Sequence, residues 1–307
     1  MTVHAAWCDD AVALFPGQGS LAGGAGRAWR TSPHWSVVER ISEVTGEDVD
    51  FLLLHASDEE LVRTDRAQLA TFALSQVSYR ELLDRGVRPR YLLGHSLGEF
   101  SALVAAGVIS LDDGATLIGA RGRAMVNAAA LTEGAMVALM GGDHDARVRL
   151  ESLHDVWVAN VNGEGQIVAS GTRFALEALV ADSRELGFRR ATLLAVGGAF
   201  HCPLMLPAQP GLDDALARVE FEETEHVVIA NVDGLARGGG AQWRALLSAQ
   251  LTSPVEFLSA TRALPDSVRR SFEAAPSGIL TGLTKRIRSF DVQWNPVGLD
   301  EMNEVAP

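Results

Sequence analysis

Tyr91-Leu92-Leu93 is a short apolar run that stops at Gly94-His95-Ser96-Leu97-Gly98, and an apolar helical pattern over residues 102–106 follows. A strand that turns sharply into a buried helix belongs to a sheet covered by helices, so this one stretch commits the chain to an α/β architecture. The turn needs small residues on both sides, and it projects Ser96 beyond the end of the strand. The N–H of Leu97 points into the same space. With the helix N-terminus it can stabilise an oxyanion. The pattern marks Ser96 as a nucleophile, with a purely structural glycine turn as the alternative.

The rest of the chain alternates in the same way. Residues 11–15 are an apolar run closed by Pro16-Gly17, which reads as a second buried strand. Helical patterns cover 35–44, 67–85 (stopped by Gly86) and 112–130, and a further helix opens at Asp58 with Ser57 as its cap. The rhythm then changes. Strands at 135–140, 156–161, 166–169 and 190–196 are interleaved with helices at 143–153 and 174–186, with Asn162-Gly163 as the turn of the central hairpin. The order β-α-β-β-α-β is that of a ferredoxin-like split unit. It spans 134–197, and residues 1–133 and 198–307 form the larger α/β unit around it. Helices follow at 204–219, 242–250 and 279–286, and strands at 226–232 and 271–274; the tail after Phe290 has no assignment.

Composition narrows the function. Hydrophobic residues make up 47% and charged residues 21%, an ordinary globular balance. Apolar runs fall far short of the about 18 residues of a membrane span. Lys and Arg total 26 against 39 Asp and Glu, a net charge of −13, which argues against a nucleic-acid partner. Cys8 and Cys202 cannot build a disulfide framework. Residues 1–13 carry Asp9 and Asp10 and lack the basic and apolar regions of a secretion signal. A soluble cytoplasmic protein is expected.

A nucleophilic serine needs a base. Of the eight histidines, His95 adjoins Ser96 but points elsewhere along the turn. His201, in Gly198-Ala-Phe-His-Cys-Pro203, stands where the chain re-enters the larger unit; on the residues alone a lone loop histidine is more often structural than a base. Gly17-Gln18-Gly19 with Ala22 imitates a dinucleotide fingerprint, but a helix occupies the place of the required second strand. The turn can instead deliver the Gln18 N–H as a second oxyanion donor. Arg121 sits on an apolar helix, where a charge needs a partner. That partner is either an internal carboxylate or the carboxylate of a substrate, clamped by two parallel hydrogen bonds. Asp143-His144-Asp145 reads as a helix cap and not as a metal site.

Several segments, in order over residues 11–288, resemble the malonyl-CoA:acyl carrier protein transacylase family, which includes polyketide-synthase acyltransferase domains. They are Leu14-Phe-Pro-Gly-Gln-Gly-Ser20, Gly94-His-Ser-Leu-Gly-Glu99, Arg121-Gly122, Gly198-Ala-Phe-His201, Ala230-Asn-Val-Asp233, Gln250-Leu-Thr-Ser-Pro-Val255 and Leu280-Thr-Gly-Leu283. The resemblance implies an α/β-hydrolase-like core with a parallel sheet and a ferredoxin-like insert. It implies Ser96 as nucleophile, His201 as base, the Gln18 and Leu97 N–H groups as oxyanion hole and Arg121 on the malonyl carboxylate. The Gln250 backbone carbonyl orients His201, a dyad without a third acid. Phe200 resembles the malonyl-selecting form, and His95 joins it among the substrate-binding residues. A pocket that excludes one methyl is worth roughly 1–3 kcal/mol. Gly198-Ala-Phe-His201 is similar to freestanding acyltransferases that act in trans. Leu21, Gly197 and Glu273-Ala-Ala-Pro-Ser-Gly278 depart from the family pattern and favour a specialised enzyme over a housekeeping one.

The implied reaction moves a malonyl group from coenzyme A to the phosphopantetheine thiol of an acyl carrier protein, in polyketide or fatty-acid biosynthesis. The protein is then a monomer that binds no cofactor or metal of its own. Transfer of another acyl group or of an intermediate between carriers, thioester or ester hydrolysis, and a non-enzymatic nucleotide-binding module are the alternatives. Carrier proteins are acidic, so a chain of charge −13 must dock through a local basic patch. The candidates are Arg147, Arg149, Arg189, Arg190, Lys285, Arg286 and Arg288, and Lys285 is the only lysine in the chain.

Overall fold

The computed structural model describes residues 8–305 apart from Ser20 and Ser277. The start of the N-terminal segment, and Ser20 at the end of the first glycine turn, lie outside the described residues. From β1 (Cys8–Phe15) the chain runs through α1 (Ser36–Thr45), α2 (Val49–Leu54) and α3 (Thr64–Asp84) to β2 (Pro89–Gly94). α4 (Leu97–Ala105) and α5 (Leu111–Ala129) follow. Then come β3 (Gly134–Met140), α6 (His144–Glu151), β4 (Val156–Gly163), β5 (Gln166–Thr172), α7 (Arg173–Asp182) and β6 (Arg190–Leu193). The last part holds α8 (Gln209–Leu216), β7 (Val227–Ile229), β8 (Ala236–Arg237), α9 (Gln242–Gln250), α10 (Phe257–Arg262), β9 (Arg270–Glu273), α11 (Ile279–Thr284) and β10 (Val292–Trp294).

Two sheets result. The first has the order β10-β9-β1-β2-β7-β8 and is parallel except for the β7–β8 edge. Its central strand explains the unbroken apolar run: Ala11 to Phe15 are all buried, because helices cover both faces. The second sheet is antiparallel in the order β4-β5-β3-β6, with α6 and α7 packed on it over Val137, Leu150, Ile167, Leu176 and Phe188. Its connectivity is the split β-α-β-β-α-β expected for 134–197. The sheets are joined through residues 159–161, which exchange backbone hydrogen bonds with Val255 just after α9.

Several local expectations need correction. Asn162-Gly163 is not the hairpin turn: both residues stay in β4, and Glu164-Gly165 turns the chain, with Gly165 at φ +63°. Asn162 is recruited elsewhere, as the partner of the His95 ring. The capping box at Ser57 forms, with Glu60 N–H donating to Ser57 Oγ and Ser57 N–H to Glu60 Oε2. It closes only a single 3₁₀ turn, Glu60–Val62, because Arg63 is extended and α3 starts afresh at Thr64. The expected helix over 204–219 is divided into a 3₁₀ stretch, Pro203–Ala208, and α8, by Pro207 and Pro210. Asp143 does cap α6, accepting the Ala146 N–H at 2.9 Å. The tail after Phe290 supplies the edge strand β10, and its carbonyls at Val297 and Met302 accept from the Trp29 indole and Arg85. Among the described residues no helix is long and apolar enough to cross a membrane.

The first sheet places the sharp turn. Phe15 pairs with Gly94, and the Phe15 carbonyl accepts the His95 N–H. A Cβ on Gly94 would overlap the Gly98 carbonyl, and one on Gly98 would overlap the Phe15 carbonyl oxygen. Both glycines are therefore required by contact of α4 with two strand ends. Gly98→Ala is expected to destabilise the protein by about 3 kcal/mol or more, since backbone must move. Gly282→Ala, where a new Cβ meets nothing within 4 Å, should instead be neutral or stabilising by up to about 1 kcal/mol. Urea unfolding midpoints of the two variants test this contrast.

Candidate active site

Ser96 occupies the turn between β2 and α4 at φ +52°, outside the usual region for an L-residue. Its N–H donates to Asn231 Oδ1 at 2.6 Å, and Asn231 Nδ2 donates to the Gly94 carbonyl at 2.7 Å. Asn231 thus ties both sides of the turn to the loop after β7. Ser96 Oγ lies 2.7 Å from His201 Nε2. His201, also at positive φ (+57°) and 5% exposed, comes from the loop after β6. Its Nδ1 is 2.8 Å from the Gln250 backbone carbonyl, at the end of α9. A carbonyl can only accept, so Nδ1 carries the proton and Nε2 is free to accept from the serine. Burial, and then the nearby Arg121 charge, push the imidazole down to about 3. It is therefore neutral, and able to act as a base, throughout the neutral range.

Arg121 projects from α5 into the same space and is 1% exposed. Its Nη1 donates to Gln68 Oε1 at 2.7 Å; its Nη2 donates to Gln250 Oε1 at 3.0 Å and to Ser96 Oγ at 3.1 Å. The guanidinium carbon lies 5.5 Å from the Phe100 ring centre. No hydrogen-bond partner reaches its Nε, and among the described residues no carboxylate lies within ion-pair distance of it. The internal salt bridge left open by the sequence is absent from that set. Burial lowers the Arg121 pKa to about 10, so the guanidinium stays charged at neutral pH.

Ser96, His201 and Arg121 line a cavity of about 110 Å³ together with Gln18, His95 and Phe200. Met125, Met136, Leu194 and Val196 give it apolar walls. Gln18 is steadied by its side-chain amide on Thr64 Oγ1 at 3.2 Å. Leu97 opens α4, so its N–H precedes the first intrahelical hydrogen bond. His95 turns away from Ser96 and sets its Nε2 2.9 Å from Asn162 Oδ1. Phe200 is held by its carbonyl, which accepts from Ser170 Oγ at 2.6 Å.

The sequence reading gave no role to Gln68, Glu99 or Asn231. Two of them fall within motifs quoted above, but a buried Gln, Glu or Asn signals nothing until its neighbours are known. Glu99, fully buried on α4, accepts the Asn231 N–H at 2.7 Å and the Gln250 Nε2–H at 2.5 Å.

The basic candidates are dispersed. None lines the Ser96 cavity. Arg147 and Arg189 line a separate cavity of about 590 Å³ beside β4, one residue along the strand from Asn160 of the Ser96 cavity. Arg286 reaches the same β4–β5 turn through Gln166 Oε1, at 2.7 Å. Lys285 is exposed beside it. Arg149 donates to the Leu186 carbonyl and Arg190 to Thr192 Oγ1. Arg288 departs from the expectation: half-buried, it donates to the carbonyls of Leu264, Pro265 and Val268 and clamps that loop.

Comparison with known proteins agrees with this geometry. The family model described as acyl transferase domain matches residues 12–283. The malonyl CoA-acyl carrier protein transacylase of Haemophilus influenzae is 36% identical over 284 residues, 89% of this chain and 91% of that one. The protein of the same name from Mycobacterium bovis is 35% identical over 300 residues, 94% and 98% of the two chains. The crystal structure of MCAT from Mycobacterium tuberculosis superposes with a TM-score of 0.90 at 33% identity, over 97% and 99% of the chains. A malonyl-transacylase solved in complex with a type II PKS acyl-carrier protein gives a TM-score of 0.90 at 32% identity, over 96% and 98%. With a strained serine on an elbow, a neutral histidine in reach of it and this match across nearly the whole length, the chain belongs to the acyl transferase domain family.

Proposed function

We propose that the protein transfers a malonyl group from coenzyme A to the phosphopantetheine thiol of an acyl carrier protein through an acyl-Ser96 intermediate. One observation carries the malonyl assignment: a buried, charged guanidinium without a carboxylate in contact, 3.1 Å from the nucleophile. A substrate that brings its own carboxylate supplies what Arg121 lacks. The names of the relatives support the same donor and acceptor.

His201 Nε2 takes the Ser96 hydroxyl proton as Oγ attacks the thioester carbonyl. The oxyanion so formed is received by the N–H groups of Leu97 and Gln18. The imidazolium returns its proton to the departing CoA sulfur, and the acyl-serine remains. A carrier thiol then gives its proton to Nε2 and attacks the same carbonyl; the bond to Ser96 Oγ breaks and Nε2 returns the proton to that oxygen. The Gln250 carbonyl keeps Nδ1–H in place through both halves, the orienting task that a carboxylate performs in a full triad. Arg121 fixes the far end of the acyl chain. The apolar walls and a cavity of about 110 Å³ leave little room for a competing water beside that chain.

The basic residues near the β4–β5 turn, Arg147, Arg189, Lys285 and Arg286, form the patch best placed to receive an acidic carrier, with Arg149 and Arg190 further along the same unit.

Arg121→Ala is expected to lower kcat/KM for malonyl transfer by about 10²-fold or more, as for a lost charge-assisted pair. Arg121→Lys should recover little, because an ammonium cannot make two parallel hydrogen bonds. Steady-state transfer assays check both, and an unchanged rate in Arg121→Ala would remove the clamp from the account. Arg189→Glu and Arg286→Glu are expected to raise the carrier KM by about tenfold and leave acyl-CoA hydrolysis unaltered. Equal loss of both activities would contradict docking at that patch.

A further inference from the structure

Glu99 has no part in the acyl transfer described above, yet it is a buried acid hydrogen-bonded to the same Gln250 that holds Arg121. It lies on α4, one turn after Ser96, and is 0% exposed. Both carboxylate oxygens are engaged. Oε1 accepts the Asn231 N–H, and Oε2 accepts from Gln250 Nε2. The opposite atom of the same Gln250 amide, Oε1, accepts from Arg121 Nη2 at 3.0 Å. One side-chain amide therefore separates a buried carboxylate from a buried guanidinium. Above pH 7 the site thus holds a cation and a largely ionised acid in a water-poor space, bridged and not touching.

An acyl chain that ends in a carboxylate adds a second anion against the single cation. Two anions around one buried guanidinium repel, and one is neutralised at less cost than both stay charged. The bound acyl carboxylate can contact Arg121 directly. Glu99 reaches it only through Gln250.

We propose that Glu99 is the counter-ion of Arg121 in the empty site, and that it takes up one proton from solvent when a dicarboxylate half-thioester places its own carboxylate on Arg121. The inference rests on the reading that Arg121 receives the acyl carboxylate. It makes Glu99 a positioning residue: charged, it holds the Gln250 amide toward itself and balances Arg121; protonated, it yields the cation to the substrate.

The surroundings agree. Burial raises the Glu99 carboxyl to about 7, while its hydrogen bonds to Asn231 and Gln250 and the Arg121 charge pull the other way. Asp233, in the turn after β7, adds a repulsion, softened by its own pair with Arg237. His201 faces the same guanidinium and stays neutral, with its Nδ1 proton on Gln250, and His95 is held near it by Asn162. The proton site is thus poised for a second anion to tip it.

Calorimetry on the Ser96→Ala protein, which cannot be acylated at that position, reads the proton directly. Malonyl-CoA and acetyl-CoA are titrated at pH 8 in two buffers of different ionisation enthalpy. Uptake of up to one proton with malonyl-CoA and none with acetyl-CoA is expected. The malonyl-CoA Kd should weaken by about tenfold per pH unit above 7. Equal uptake with the two thioesters overturns the inference without any change at Glu99, and so does uptake that persists in the added variant Glu99→Gln. Arg121→Ala separates the two levels of the argument. If it abolishes the preference for malonyl-CoA while Glu99→Gln keeps the uptake, only the role of Glu99 falls. If the preference survives Arg121→Ala, the reading of Arg121 falls and this inference with it.

Discussion

Ser96 is held at φ +52°, a conformation that costs a non-glycine residue about 1–3 kcal/mol. The fold supplies three restraints that keep it there. Gly94 and Gly98 let α4 press against the ends of β1 and β2 where any side chain would collide. The Phe15 carbonyl takes the His95 N–H. Asn231 bonds to the turn on both sides of the serine. Each restraint comes from a different strand end of the parallel sheet, so the elbow exists only once β1, β2 and β7 lie side by side. The second sheet has a different task. It carries Met136 and Asn160 to the cavity, and the segment after β6 brings in Leu194, Val196, Phe200 and His201.

Electrostatics divide the site into two halves joined by Gln250. Its backbone carbonyl fixes the proton on His201 Nδ1, its side-chain oxygen accepts from Arg121, and its nitrogen donates to the Ser96 carbonyl and to Glu99. One residue at the end of α9 thereby sets the tautomer of His201, the position of Arg121 and the bridge to Glu99. Burial, and then the Arg121 charge, depress His201, so the imidazole stays neutral beside the guanidinium.

Local rules made part of this legible in the sequence. The elbow is readable because glycine spacing, strand and helix are adjacent in the chain, and the Asp143 cap is readable for the same reason. The order β-α-β-β-α-β is readable because alternation and helical periodicity differ. His201 and Gln250 lie far from Ser96 in sequence, and their roles came with the family resemblance and not from spacing. Gln68, Glu99 and Asn231 acquire meaning only from neighbours brought together by the fold. Asn162-Gly163 carries a turn signal, yet both residues stay in β4, where Asn162 Oδ1 meets the His95 ring. Arg288 shows the limit of counting charges, since its Nη1 and Nη2 donate to three backbone carbonyls.

The central claim is that Ser96 becomes acylated and that Arg121 chooses a carboxylate-bearing acyl group. A peptide mass spectrum of the protein after brief incubation with equal amounts of malonyl-CoA, methylmalonyl-CoA and acetyl-CoA tests both parts at once. The account predicts a malonyl adduct on the peptide that contains Ser96, in clear excess over the other two. An acetyl adduct in its place, or a malonyl adduct that leaves Ser96 unmodified, would contradict it.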